Sequence, residues 1–409
     1  MKKLYLAPIL SLPIILTACG GGGGSEEGSG SDENNEILMW HYYTGSEEVF
    51  KQMAKDFNES QDEYTLETEY VPFDEMKKQL SVGSAGDTLP DLIISDTVDN
   101  ASLASMGVLN DISSEVEEWG EIDDYLKAPV ASTKYEDGTY GVPLTTNSIG
   151  LFYNEKMLEE NGIEKPPETW EELNEAAEAT TNSDHDGFAM SAVRSEESTF
   201  QFYPFLLSAG ADENSLDSPE AAEALNFVDD MLAEGYMSEE VLNSTQDDLA
   251  RKFANESVAM MINGPWVVDR LKEENEDLDF QITSIPKKEE HKSVIGGDNL
   301  AVVESGNQEG AWEALSYFSE PENMEEFTKE TGYFPPRQSV LNDSDYWQED
   351  EHLSSFIQTT EEAEARGPSP NWPDISESIQ LAIQESLTDE KEPDEALEDA
   401  QKKVESANE

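Results

Sequence analysis

The sequence predicts an α/β fold, and three observations predict it. Short apolar runs recur between segments of 3.6-residue periodicity, which is how strands alternate with covering helices. Helix start and stop signals are dense in the second half. A length of 409 residues suffices for two or three ordinary domains or one two-lobed unit.

Taken in order, Ile37-Leu38-Met39-Trp40 reads as a buried strand, and Val49, Phe50, Met53 and Phe57 then share one helical stripe. Tyr64, Leu66, Thr68 and Tyr70 alternate onto one face of a strand. Asp74 opens a short helix carrying Met76 and Leu80, and Leu92-Ile93-Ile94 follows Pro90 as another buried strand. Between residues 100 and 145 strand signals are weak. Thr169-Trp170-Glu171-Glu172 matches a capping box, in which Thr and Glu satisfy each other's amides. Ser218-Pro219 opens a helix bearing Leu225, Val228, Met231 and Leu232, stopped by Gly235. Thr245 caps a helix through Leu249 and Phe253, Ser257 to Ile262 reads as a strand, and helical patterns close the chain around Ile375–Leu387 and Ala396–Val404. No short internal repeat is present.

Composition removes several functions. With 91 Asp plus Glu against 24 Lys plus Arg, the formal net charge is −67. Such a chain neither neutralises a nucleic-acid backbone nor adheres to an anionic bilayer by a basic face. Low mean hydropathy of −0.62 is a signature of disorder. Seven Trp, 14 Tyr and 15 Phe oppose it, because they need a core. The acidity reads as a sign of habitat: ~1 M salt shortens the Debye length to about 3 Å and mutes self-repulsion. One Cys excludes an intrachain disulfide and any Cys-rich metal site.

That Cys sets the address. Met1-Lys2-Lys3 is a positive n-region and Leu4–Leu16 an apolar h-region too short to span a bilayer as a permanent helix. Leu16-Thr17-Ala18-Cys19 resembles a bacterial lipobox, so residues 1–18 are expected to be a signal peptide and Cys19 a lipidated N-terminus. The Gly/Ser/Glu-rich stretch 19–35 reads as a flexible tether.

From the tether onward the chain resembles the extracellular solute-binding proteins of ABC importers, family 1, whose best-known branch binds maltodextrins. The resemblance rests on ordered motifs: Leu89-Pro90-Asp91-Leu92-Ile93 with Gly107-Val108-Leu109; Tyr140-Gly141-Val142-Pro143; Leu151-Phe152-Tyr153-Asn154; and Pro167-Glu168-Thr169-Trp170-Glu171-Glu172-Leu173. Ala259-Met260-Met261-Ile262-Asn263-Gly264-Pro265-Trp266, Ile295–Leu300, Thr331–Pro335 and Asp394–Leu397 complete the series. It implies a two-lobed, type II periplasmic-binding-protein-like fold with ligand between the lobes. Lobe 1 is expected over 36–143 plus 299–336, and lobe 2 over 144–298 plus 337–409. Crossings are expected near Val142–Asn147, Ser293–Asn299 and Phe334–Val340, with Gly296 and Gly297 as hinge, or simply a turn.

Sugars present hydroxyl rims and weakly apolar faces, so a site needs aromatic plates and planar polar groups. Burying ~60 Å² of sugar face is worth roughly 1.5 kcal/mol, whereas micromolar binding needs about 8 kcal/mol. Several contacts must act together. Trp266, in a loop directly after an apolar strand, is the sharpest candidate, with core packing as its alternative. Tyr42, Tyr43 and Thr44 lie just past the first strand, where open α/β sheets place ligands. Ser95 and Asp96 end another strand, and Asp96 alternatively caps a helix. Asn147 lies beside the first crossing and either meets hydroxyls or caps a turn. Phe200 and Phe202 precede Leu206, and one of them is expected in the core. Asp298, Tyr333 and Trp372 are further candidates. Arg366, an isolated cation, either pairs with Glu362 at helical spacing or neutralises a ligand.

His41, His185, His291 and His352 are scattered, with no zinc-hydrolase, phosphate-loop or nucleophile-elbow motif. Asn182, Asp184 and Asp186 mimic a calcium loop, but Val193 stands where its bidentate Glu belongs. The expectation is a non-enzymatic receptor without metal or cofactor. It is a monomer that captures a carbohydrate, probes no nucleic acid, and hands its guest to permease subunits. Its address is the outer face of the cytoplasmic membrane, held by lipid alone. Two alternatives stand: the same receptor for glycerol phosphate, with Arg366 on the phosphate, and an extracellular glycoside hydrolase with paired carboxylates.

Overall fold

Where β-branched and aromatic residues run together the chain forms strands, and a computed structural model places thirteen of them among the described residues, 35–83, 89–304, 306–367 and 369–408. The signal segment, Cys19 and all of the tether but its last residue lie outside these. The strands are β1 (Glu36–His41), β2 (Thr65–Tyr70), β3 (Leu92–Asp96), β4 (Lys134–Tyr135), β5 (Gly138–Thr139), β6 (Val142–Pro143) and β7 (Gly150–Asn154). They continue as β8 (Asp186–Ala189), β9 (Val258–Asn263), β10 (Phe280–Thr283), β11 (Ser293–Ile295), β12 (Asp298–Val302) and β13 (Ala363–Ala365).

Two sheets carry the architecture. The first has the order β2-β1-β3-β12-β6, parallel through β1, β2 and β3, with β12 antiparallel to its neighbours β3 and β6. The second has the order β10-β7-β9-β8, with only β8 and β9 parallel. Helices cover both sheets, so central strands are buried on both faces: Leu92, Ile93 and Ile94 of β3 and all six residues of β9 are buried. Small two-stranded ribbons, β4-β5 and β11-β13, complete the set. Among the described residues no helix is long and apolar enough to cross a membrane.

Most predicted elements fall within a few residues of their places, and two details differ. Tyr70 is exposed, because β2 is an edge strand and only Leu66 of its expected face is buried. The Thr169 box is half formed: Thr169 caps the Glu172 amide at 3.2 Å, but Glu172 takes the amide of Glu168 at 2.8 Å. Thr169 itself is bridged to Lys287. The complete box is at Thr245, reciprocated by Asp248. Residues 100–145 hold short helices and two-residue strands, too brief for periodicity to register.

The chain leaves the first sheet between β6 and β7 and returns between β11 and β12. These passages and the Phe334 segment lie side by side. Asn147 and Gly296 exchange backbone hydrogen bonds of 3.1 and 3.0 Å, and Thr146 and Phe334 exchange bonds of 2.8 and 3.1 Å. Gly297 has φ +128°, and a Cβ there would stand 2.5 Å from the Thr145 carbonyl oxygen. Only glycine suits that position.

Candidate functional site

The first sheet delivers its polar residues at the carboxyl ends of β1 and β3. Tyr42 and Tyr43 follow β1 directly, Asp96 is the last residue of β3, and Asp298 opens the antiparallel β12 opposite Asp96. Two carboxylates paired across strands repel. Their surroundings share out the charge. Asp298 accepts from the hydroxyls of Tyr42 and Tyr43 and, at 2.9 Å, from Thr145. Asp96 Oδ1 accepts the Val98 amide at 3.0 Å and the Thr97 hydroxyl at 3.3 Å and so holds the turn after β3; it does not cap the next helix, Asn100–Ser105, where Asp99 stands at the N-cap. Burial pushes the Asp298 carboxyl up despite its three donors. Burial also pushes Asp96 up to about 7, against the pull of Arg366 and with the help of Asp298. The Tyr42 and Tyr43 hydroxyls are pushed well up by burial and by Asp298.

The second sheet delivers aromatic faces. Trp266 follows β9, and its ring folds back over Gly264, where any Cβ would stand 1.9 Å from the indole. Phe200, on the helix Glu196–Ala209, lies offset-stacked on Trp266, with ring centres 6.3 Å apart. Trp266 in turn stacks on Tyr333 at 5.7 Å, and Tyr333 on Tyr43 at 4.9 Å. A continuous row of rings thus runs from one sheet to the other. The Arg366 guanidinium covers the far end, 4.1 Å from the Phe200 ring centre.

These groups line a cavity of about 660 Å³, within the range of small-molecule sites. Tyr42, Tyr43, Asp96, Asn147 and Phe200 line it, as do Trp266, Asp298 and Tyr333; exposed Thr44 lies at its mouth. Gly296 and Gly297 border it too. Three expected residues are not brought in. Ser95 points to the opposite side of β3 from Asp96, by strand alternation, and lines a separate pocket of about 20 Å³ behind Tyr42. Phe202 is fully buried in the core, since it lies about 200° round the helix from Phe200. Trp372 is buried as well and forms no wall. Its indole N–H reaches both carboxylate oxygens of Glu196 at 3.2 Å, so it acts behind the site.

Glu196 is the main residue that sequence reasoning missed. It accepts from Arg366, Trp372 and Ser376, and burial raises its carboxyl against the pull of Arg366. Arg366 therefore does not pair with Glu362, which instead accepts from Ser284 and Gln358. Its partners are Glu196 and, at 4.0 Å, Asp96. Phe73, Asp247 and Arg270 also line the cavity unforeseen, and the last two form an ion pair at 2.9 Å. Five buried polar atoms of the lining have no hydrogen-bond partner among the described residues: Asn147 Oδ1, an acceptor, and the donors Gln246 Nε2, Arg270 Nε, Arg270 Nη2 and Arg366 Nε. A hydroxyl group satisfies both kinds. Among the described residues no cluster of His, Cys, Asp and Glu is arranged to hold a metal.

The model for bacterial extracellular solute-binding proteins matches residues 52–355. The maltotriose-binding protein of Pyrococcus abyssi is 26% identical over 87% of this chain and 78% of its own length. The galactooligosaccharide-binding protein of Bacillus subtilis is 25% identical over 76% of this chain and 74% of its own. A solute-binding protein of an ABC transporter from Thermotoga lettingae, solved with α-D-tagatose, superposes with a TM-score of 0.83 at 27% identity. That match covers 91% of this chain and all of the other.

Proposed function

We propose a function from one premise: the chain belongs to the bacterial extracellular solute-binding proteins. In this reading it captures a sugar in the cleft between its two sheets and delivers it to the permease of an ABC importer. One observation carries the reading. A row of aromatic rings meets buried, hydroxyl-seeking polar atoms inside a cavity large enough for a short oligosaccharide. The rings supply plates for sugar faces, while Asn147 and the carboxylates take rim hydroxyls. The relatives that bind maltotriose and galactooligosaccharides support the same ligand class.

The finer features belong to the proposal. Cys19 carries the lipid that anchors a monomeric receptor outside the cytoplasmic membrane, and residues up to 35 tether it. Residues 36–143 with 299–336, and 144–298 with 337–409, form two lobes that close about Gly296 and Gly297, ligand favouring the closed state. The residues lining the cavity act by grip, and no bond of the guest is broken. A glycerol-phosphate ligand would need Arg366 free for its phosphate, and Glu196 already occupies that guanidinium.

A thermal-shift screen of mono- and oligosaccharides in high salt tests the proposal. Selective stabilisation by one sugar series is the expected result. Stabilisation by none, or release of new reducing ends on incubation with polysaccharide, contradicts it.

A further inference from the structure

Acidic residues cover this protein, and a salty habitat accounts for those in water. It does not account for buried ones, whose desolvation is costly whatever the salt outside. In the depth of the cleft stand three carboxylates, the buried Asp298 and the largely buried Asp96 and Glu196, and the Arg366 guanidinium pairs with Glu196 and, at 4.0 Å, with Asp96. Asp298 and Glu196 are fully engaged by the hydroxyl, indole and guanidinium donors already described. Asp96 is not. Its Oδ1 takes the turn, while its Oδ2 has no hydrogen bond within the described residues, and its side chain is 15% exposed on the cavity.

Beside it stands a second unfilled acceptor. Asn147 is 6% exposed, lines the same cavity, and its Oδ1 has no partner. Asn147 and Phe200 converge at Gly296, where a Cβ would lie 2.5 Å from Asn147 Oδ1 and 3.0 Å from the Phe200 ring. The Arg366 guanidinium then links Phe200 to Asp96, 4.1 Å from the ring centre and 4.0 Å from Oδ1. This corner offers a carboxylate oxygen and an amide oxygen in one place, while the Phe200 ring is already engaged by Arg366 and Trp266. An ammonium group has three donors and no acceptor. A phosphate or carboxylate is disfavoured here, because Asp96 and Asn147 present acceptors and Glu196 holds Arg366 through Nη1, leaving Nε as the unpaired donor of this corner.

We propose, resting on the sugar-capture reading, that the cleft selects an amino sugar, its protonated amine seated on Asp96 and Asn147, and that Asp96 is the specificity-determining residue. The charged and titratable groups facing Asp96 are Arg366, Glu196, Asp298 and Asp99 (itself paired with Lys77 at 3.1 Å), together with the neutral hydroxyls of Tyr42 and Tyr333. Among them acids outnumber bases, so a guest cation lowers the cost of the buried charge. Acidification opposes it: Asp96, which burial holds near neutrality, takes up a proton and the seat is lost.

Calorimetric titration of the full chain tests this with glucosamine and its β-linked dimer against glucose and cellobiose, and with galactosamine against galactose. The expected result is at least tenfold tighter binding of the amino member of a pair at pH 7. That ratio falls at pH 5.5, where the sugar amine is still charged, and collapses in Asp96→Asn, which keeps the turn acceptor. The pH series uses the unmodified protein, so it decides even if the variant fails to fold. Equal or weaker binding of the amino sugar, or a preference that survives Asp96→Asn, overturns the assignment while sugar capture stands. No binding by any sugar of the panel overturns both.

Discussion

Asp298 and Asp96 stand opposite each other on adjacent strands, and their different surroundings give them different work. Three hydroxyls hold Asp298, which thereby fixes the rings of Tyr42 and Tyr43 at the cavity wall. Asp96 keeps an oxygen for a guest. Its carboxyl is raised from 3.8 to about 7 by burial, so the folded state holds a proton that the unfolded chain releases. Stability from this group is therefore present at low pH and is lost as pH rises from about 4 to 7. Asp96→Asn is expected to gain on the ligand-free parent over that window, by on the order of 3 kcal/mol at pH 8. Paired chemical denaturation at pH 5 and pH 8 checks the sign. At Trp266 the expectation concerns binding: Trp266→Ala removes one plate of the ring row, costing about 2 kcal/mol of sugar affinity. That is roughly thirtyfold by titration calorimetry. An unchanged affinity would place the indole outside the site.

At the scale of elements, the passages between the sheets are the exacting part. Gly297→Ala puts an L residue at φ +128° against the Thr145 carbonyl and is expected to cost about 1–3 kcal/mol. A drop of several degrees in thermal melting would register it; an unchanged melt would mean that the passage yields freely. Periodicity and caps made β1, β3, β9 and the two C-terminal helices legible in the sequence, because long apolar runs and Ser/Thr caps are local signals. Trp266 was legible for a related reason, as a large ring just past a strand. Ser95 and Asp96 were not separable, since strand parity cannot be assigned before the covering face is known. Phe200 and Phe202 differed by helical phase alone. Glu196 and Arg366 lie 170 residues apart, and Trp372 lies 176 from the same carboxylate. Only the fold joins them, so local spacing suggested Glu362 as the partner instead.

For the whole molecule, a net charge of −67 makes the surroundings part of the stability. Self-repulsion over that surface is screened within about 3 Å at ~1 M salt and over about 10 Å at 0.1 M. The melting temperature is expected to rise markedly between 0.1 and 2 M sodium chloride, as scanning calorimetry would record; a flat profile would detach the acidity from habitat. The largely buried row from Phe200 to Tyr43 spans both sheets, so one guest can engage both at once. Calorimetric titration with a sugar identified by the thermal screen, followed by chromatography of the recovered sugar, tests that claim most directly. Saturable one-to-one binding is expected, abolished or strongly weakened in Trp266→Ala, with the sugar returned intact. Heat without saturation, or recovery of shortened sugar, would contradict it.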